Sequence, residues 1–335
     1  MQSHKLPGKV TSLGLAILLI TSCSSVDDSS QLISTNTKLQ ISSQCLDNPK
    51  ALPRPVADLP VTVTSVSGES LAITAIDRVI SLAPGAAEIV WALGLGDVIA
   101  GKDLVSSYPG SDLAPTVNPG HDVALETLLS LNPDLVIADT SAENSDAVQK
   151  LVELGIPVVA IPEATSISEI SPRIVAVASA LGVKAAGDEL ASETKAKLSL
   201  VNSTVKSDTK IAFLYLRGNA GVYLIGGKGS GADSIISSLG AKDAGTVLGI
   251  EGFAPLTAEA LAKANPDVLL VMDEGLASVG GIEKLLALPG VSSTSAAQNL
   301  AVIQADDREL LAFGPQTPKV ISCLAAQLAS FSEST

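Results

Sequence analysis

LETLLSLNPDLVIA, from Leu125 to Ala138, and LTAEALAKANPDVLLVMD, from Leu256 to Asp273, are two versions of one module. Aligned on Glu126 and Glu259, they place Leu128 on Leu261 and Asn132–Pro133–Asp134 on Asn265–Pro266–Asp267, a constant offset of 133 residues. Each reads as a helix stopped at Asn-Pro and followed by a short apolar strand. Proline has no N–H to donate and disfavours the α region at the residue before it. A second pair extends the repeat: AEIVWALGLGD from Ala87 and ADSIISSLGAKD from Ala232. One such unit in each half predicts two similar lobes, and two lobes make a cleft where ligands bind.

Around the modules, strands and helices alternate. Arg78–Leu82 is an apolar strand ending at Ala83–Pro84–Gly85, followed by a helix from Ala86 to Leu93 and a strand at Val98–Ala100. Asp122 is placed to cap the helix that ends at Leu131. Further along, Ala147–Leu154 reads as a helix and Val158–Ile161 as a strand. This spacing predicts parallel sheets in an α/β fold. From Ile167 to about Val205 the pattern is helical apart from Gly182 and Gly187, and this stretch separates the two modules. The second lobe opens with the strand Lys210–Arg217 and continues through a short extended Val222–Ile225. The divisions are 1–22 leader, 23–61 tether, 62–165 N-terminal lobe, 166–207 interlobe helical segment and 208–335 C-terminal lobe.

The first residues read as an export signal. Lys5 and Lys9 precede the apolar run Leu13–Ile20, then Thr21–Ser22–Cys23, the order of a signal peptide. The run is shorter than the roughly 20 residues a spanning helix needs. Cys23 after small residues resembles a lipobox, which implies cleavage before Cys23 and diacylation of its thiol; the plainer alternative is a secretory peptide with an incidental cysteine. Two acyl chains anchor stably where one does not. Ser24 to about Val61 is rich in Ser, Thr, Asn, Asp and Pro and reads as a tether. The remaining cysteines are Cys45 and Cys323. In an oxidising compartment such a leftover pair is expected to form a disulfide, tying the tether to the last helix.

Composition narrows the function. A net charge of −14 without a basic stripe argues against nucleic acid. Once the leader is gone, His121 is the single histidine. No Gly-x-Ser-x-Gly elbow is present, Gly227–Gly231 lacks phosphate-loop spacing, and no Cys/His cluster suggests zinc. The chain reads as a binder rather than an enzyme.

RVISLAPGAAEIVWALGLGD, then Tyr108–Pro109, then ALETLLSLNPDLVIA, a long helix and a second such half resemble the substrate-binding proteins of ABC importers for haem, cobalamin and ferric siderophores. The resemblance covers about residues 76–330. It implies two Rossmann-like lobes with parallel sheets, joined by a long helix, with small hinge motion and a shallow cleft: the class III periplasmic-binding-protein fold. The chain further resembles the haem-binding lipoproteins of Gram-positive haem uptake. In those proteins a ligating residue follows the glycine before the LETLL-like helix, here His121, and a tyrosine ends the first strand of lobe two in a Tyr-x-Arg arrangement, here Tyr215–Leu216–Arg217. The resemblance therefore implies haem as the transported ligand, His121 and Tyr215 as iron ligands, and Arg217 as a support that hydrogen-bonds the phenolate. A free phenol has a pKa near about 10, and a ferric ion and a guanidinium both favour the phenolate. Residues two apart on a strand share a face. Met272, at the end of the strand after Asn265–Pro266–Asp267, is a candidate haem contact or a core methionine. Implied partners are an ABC permease with its ATPase and haem-capturing surface proteins upstream. Family members dock on permease arginines through an acidic residue on each lobe, here Glu88 and, with an imperfect match, Asp233. The alternatives are a ferric-siderophore or corrinoid binder of the same fold, or an exported enzyme or adhesion protein that has borrowed it.

Overall fold

The structure, a computed structural model, describes residues 50–117, 124–201 and 207–332. Cys23, Cys45 and His121 lie outside the described residues. In the N-terminal lobe, a small antiparallel hairpin of β1 (Val61–Thr64) and β2 (Ser70–Ile73) precedes the main sheet. That sheet is all parallel: β3 (Val79–Ser81), β4 (Ile99–Gly101), β5 (Leu135–Ala138) and β6 (Val158–Ala160), in the order β4-β3-β5-β6. Helices α1 (Ala86–Val90), α2 (Leu125–Ser130) and α3 (Asp146–Glu153) alternate with these strands. Every residue of β3, β5 and β6 is buried, as expected for strands covered on both faces.

The joining segment is two helices, α4 (Ile170–Ala180) and α5 (Lys184–Leu200), with the chain turning at Gly182. Gly187, which interrupted the helical pattern in sequence, has a packing role. A Cβ there would come within 2.2 Å of the Ala178 Cβ, so the glycine lets α5 lie close against α4.

The C-terminal lobe departs from the expected parallel sheet. β7 (Lys210–Arg217), β11 (Val268–Met272) and β12 (Val302–Ala305) are parallel, and β9 (Lys242–Asp243) pairs parallel with β7. However, β8 (Val222–Gly226) runs antiparallel to β7, and β10 (Phe253–Pro255) antiparallel to β8. The reason is chain length: Gly218–Gly221 is too short for a parallel crossover, which takes a dozen residues or more. Helices α6 (Ala232–Ser238), α7 (Ala258–Ala264), α8 (Asp273–Ser278) and α9 (Thr317–Ser332) complete the lobe.

The repeated Asn-Pro-Asp does the same work in both lobes. Asn132 (φ 45°) and Asn265 (φ 42°) end their helices in the left-handed region, which asparagine tolerates. Asp134 N–H then donates to Arg78 O (3.1 Å), and its carboxylate accepts from the N–H groups of Asp77 (2.9 Å) and Arg78 (3.1 Å). In lobe two, Asp267 N–H donates to Lys210 O (2.8 Å) and its carboxylate accepts from Lys210 N–H (2.8 Å). Each aspartate clamps the start of its lobe's central strand.

One apolar core runs through both lobes. Ile89 of α1, Leu93 just beyond it, Ile174 of α4, Phe213 of β7, Leu270 of β11 and Ile321 of α9 belong to the same cluster. Separate clusters cover the outer faces of the two sheets. A shared apolar junction limits relative lobe motion. Residues 51–60, counted in the sequence as the end of the tether, also belong to the fold. Leu52 N–H donates to Ala92 O and Asp58 N–H to Gly182 O, both at 2.8 Å, and Leu52 and Leu59 pack on the shared core. No helix among the described residues is long and apolar enough to cross a membrane.

Candidate functional site

Strand alternation on β7 buries Leu214 and Leu216 and leaves Tyr215 and Arg217 partly exposed on the opposite face. These two residues lie at the C-terminal end of the strand, where ligands bind in open α/β sheets. The Tyr215 ring meets Phe253 edge-on at 5.9 Å, and Arg217 Cζ stands 4.7 Å from the Tyr215 ring centroid. The guanidinium forms an ion pair with Asp307 (Nη2 to Oδ1, 2.8 Å), and Nη1 donates to Leu216 O at 2.8 Å. Asp307 in turn accepts from Glu274 N–H at 2.6 Å. The sequence expectation that Arg217 hydrogen-bonds the phenol oxygen is therefore corrected. A well-buried carboxylate lies within reach and takes the guanidinium, which covers the face of the ring instead.

Asp307 belongs to an acidic wall that the sequence reading missed. Asp306, Asp307 and Glu309 follow β12, while Asp273 follows β11, and the parallel pairing of these strands brings the two ends together. Burial, then Asp306, Asp307 and Glu309, push the Asp273 carboxyl up to about 6. Glu309 is also raised, chiefly by burial, with Lys319 at 3.8 Å opposing the shift. The signal for this wall was the DDRE run at the end of a strand, meaningful only once β12 is known to neighbour β11. Met272 packs in the shared core at 3% exposure; its side chain does not line the crevice, which corrects its assignment as a haem contact.

Glu88 is 2% exposed. Its Oε1 accepts from Gln316 N–H at 2.9 Å, where the chain crosses back from lobe two. Burial, only partly offset by that hydrogen bond, pushes its pKa up to about 8, so the side chain is largely neutral at pH 7. A neutral carboxyl enclosed in this way has no surface to offer a permease, and the docking assignment of Glu88 is corrected. Asp233 is committed to its own loop, accepting from the N–H groups of Gly229 (2.9 Å) and Gly231 (3.1 Å). Ser234, the positional counterpart of Glu88, accepts from Ile167 N–H at 3.0 Å through its hydroxyl, another junction contact. The acids exposed at matching places in the two lobes are Glu126 and Glu259, each in the first turn of its helix.

The lobes meet where these elements converge. Gln316 Nε2 donates to Ser107 O at 2.9 Å, and Arg173, buried in α4, donates to Pro84 O. A Cβ on Gly85 would approach Ala312 O to 2.6 Å. The end of β3 thus faces the segment that leaves β12.

A family model described as periplasmic binding protein matches residues 79–309. Among solved structures, the heme binding protein HmuT is 32% identical with a TM-score of 0.77, covering 84% of this chain and 95% of that one. HmuT has also been solved with alanine in place of a histidine, of a tyrosine, and of an arginine two residues beyond that tyrosine. The uncharacterized ABC transporter substrate-binding lipoprotein YvrC of Bacillus subtilis (strain 168) is 29% identical over 64% of this chain and 69% of its own. The vitamin B12-binding protein of Vibrio campbellii (strain ATCC BAA-1116) is 29% identical over 45% of this chain and 55% of its own length.

Proposed function

The chain belongs to the periplasmic binding protein family, and we propose that it is an exported, lipid-anchored receptor that captures haem and delivers it to an ABC importer. The observation that carries this reading is Tyr215 with Arg217 over its ring at the crevice end of β7. The same tyrosine-to-arginine spacing is targeted in the HmuT variants. Haem iron is commonly held by histidine or tyrosine. Tyr215 supplies one ligand from lobe two and His121 the other from lobe one, so capture bridges the lobes. Arg217 holds the ring in place, and Asp307 holds Arg217. The acidic wall disfavours haem's two carboxylates, so the propionates point away from Asp306 and Asp307. Cys23 carries the anchor, and Glu126 and Glu259, the matching exposed acids, meet basic residues of the permease.

The test is a visible titration of residues 24–335 with hemin. An intense haem band that shifts in both His121→Ala and Tyr215→Ala supports the assignment; wild-type spectra in both variants refute the ligand pair. The vitamin B12-binding relatives favour a corrinoid as the second reading, and cobalamin binding without hemin binding would establish it.

A further inference from the structure

We propose that lobe two selects a porphyrin whose carboxylates occupy a single edge, and that Phe253 is the residue that sets this preference; the inference rests on the haem reading above. Tyr215 stands on a boundary. In the sheet order β10-β8-β7-β11-β12, its strand has β8 and β10 on one side and β11 and β12 on the other.

The β8–β10 side is apolar. Residues directly opposite each other in an antiparallel pair share a face. Leu224 stands opposite Tyr215, Pro255 opposite Leu224, and Val222 opposite Arg217. Phe253 stands opposite Gly226, where the missing side chain leaves its ring free to meet Phe213 at 6.2 Å as well as Tyr215 at 5.9 Å. The other face of these strands is covered, since Tyr223, Ile225 and Ala254 pack in the outer core of lobe two. The Tyr215 face is open: Phe253 is 41% exposed, Val222 and Leu224 are half-buried, and none of the three belongs to a core cluster of the described residues. An apolar shelf therefore continues outward from Tyr215, the kind of exposed patch that marks a binding surface.

The β11–β12 side is acidic. The neighbouring charges that act on Asp273 are Asp306, Asp307 and Glu309, all of them negative. A carboxylate is disfavoured on both sides of Tyr215. On the shelf it loses water and gains no partner; at the wall it meets like charge. Hemin carries two propionates on neighbouring pyrroles, so it can turn that edge away from both and lay an apolar edge on Phe253. Ferric coproporphyrin III has propionates in place of the two vinyl groups, one on every pyrrole. However it is turned about the iron, a carboxylate faces the shelf or the wall.

The experiment titrates the chain from residue 24 with hemin and with ferric coproporphyrin III, followed by absorbance. The wild type should bind hemin about tenfold tighter, the scale on which an apolar pocket discriminates a small group. Phe253→Arg and Leu224→Lys each place a cation on the shelf and should bring the two dissociation constants together. Phe253→Leu, which keeps the shelf apolar, should hold the wild-type ratio. A merely structural role of Phe253 would weaken both ligands alike and leave the ratio intact. Equal affinities in the wild type, or the wild-type ratio in both charged variants, overturn the shelf. A wild type that gives no haem band with hemin overturns the haem reading itself, an outcome distinct from either.

Discussion

Arg217 Cζ stands 4.7 Å from the centre of the Tyr215 ring, and Asp307 fixes it there through an ion pair at 2.8 Å. A cation over an aromatic face at a partly exposed site contributes about 0.5–1 kcal/mol. Arg217→Ala should therefore weaken hemin binding about two- to fivefold. Arg217→Lys should recover only part, since an ammonium keeps the charge but not the planar fork. Asp307→Asn should fall between wild type and Arg217→Ala, because the guanidinium stays but loses its anchor. Absorbance titrations of the four proteins decide the matter, and equal dissociation constants would remove Arg217 from the site.

Glu88 makes stability depend on pH in a direction opposite to that of most carboxylates. Its folded pKa of about 8 lies above its ordinary 4.5, so between those values the folded state binds more protons than the unfolded one. Stability from this group is full below pH 4.5 and is lost progressively as pH rises through 8. Glu88→Gln keeps an oxygen to accept from Gln316 N–H and cannot ionise. The variant should match wild type near pH 5 and exceed it by a few kcal/mol at pH 8.5, taking about 1.4 kcal/mol per unit. Glu309, Arg173 and Lys319 also act on the wild-type Glu88 carboxyl, each less than burial does. Urea unfolding at the two pH values measures the gap; a constant difference would mean that Glu88 is already ionised.

With Glu88 enclosed, the proposed permease contact rests on the matched exposed acids Glu126 and Glu259. Glu126→Lys and Glu259→Lys should each leave the hemin spectrum unchanged and lower haem uptake by cells, and the double variant should nearly abolish it. Like charges across an interface cost several kcal/mol. Uptake at the wild-type rate in the double variant would exclude these positions as contacts.

What the sequence revealed and what it hid divide along a physical line. Local rules were legible: proline after the helix, the apolar strands and the alternation that puts Tyr215 and Arg217 on one face all depend on neighbours in the chain. Glu88 was misread because AAEIVWALG reads as a helix with one polar face. Only the return of the chain at Gln316, 228 residues away, buries that face. The acidic wall was invisible for the same reason, since Asp273 and Asp307 meet only through the β11–β12 pairing. The antiparallel β8 was legible in principle, because four residues between strands exclude a crossover.

The two Asn-Pro-Asp clamps test whether the lobes are one folding unit. Asp134→Ala removes a carboxylate that accepts from the N–H groups of Asp77 and Arg78, and Asp267→Ala removes the acceptor of Lys210 N–H. Hydrogen bonds to charged groups contribute about 1.5–3 kcal/mol. The half-exposed Asp134 site should lie at the low end of that range, since water can replace part of what is lost. Because Phe213 of lobe two and Ile89 of lobe one share a core cluster, each variant should lower the midpoint of a single cooperative transition by a similar amount. If the lobes unfolded separately, Asp134→Ala would shift an early step and Asp267→Ala a different one. Denaturation of both variants, followed by Trp91 fluorescence for lobe one and by far-ultraviolet circular dichroism for the whole chain, distinguishes these outcomes. Coincident curves are expected, and divergent curves would mean that the shared core does not couple the lobes.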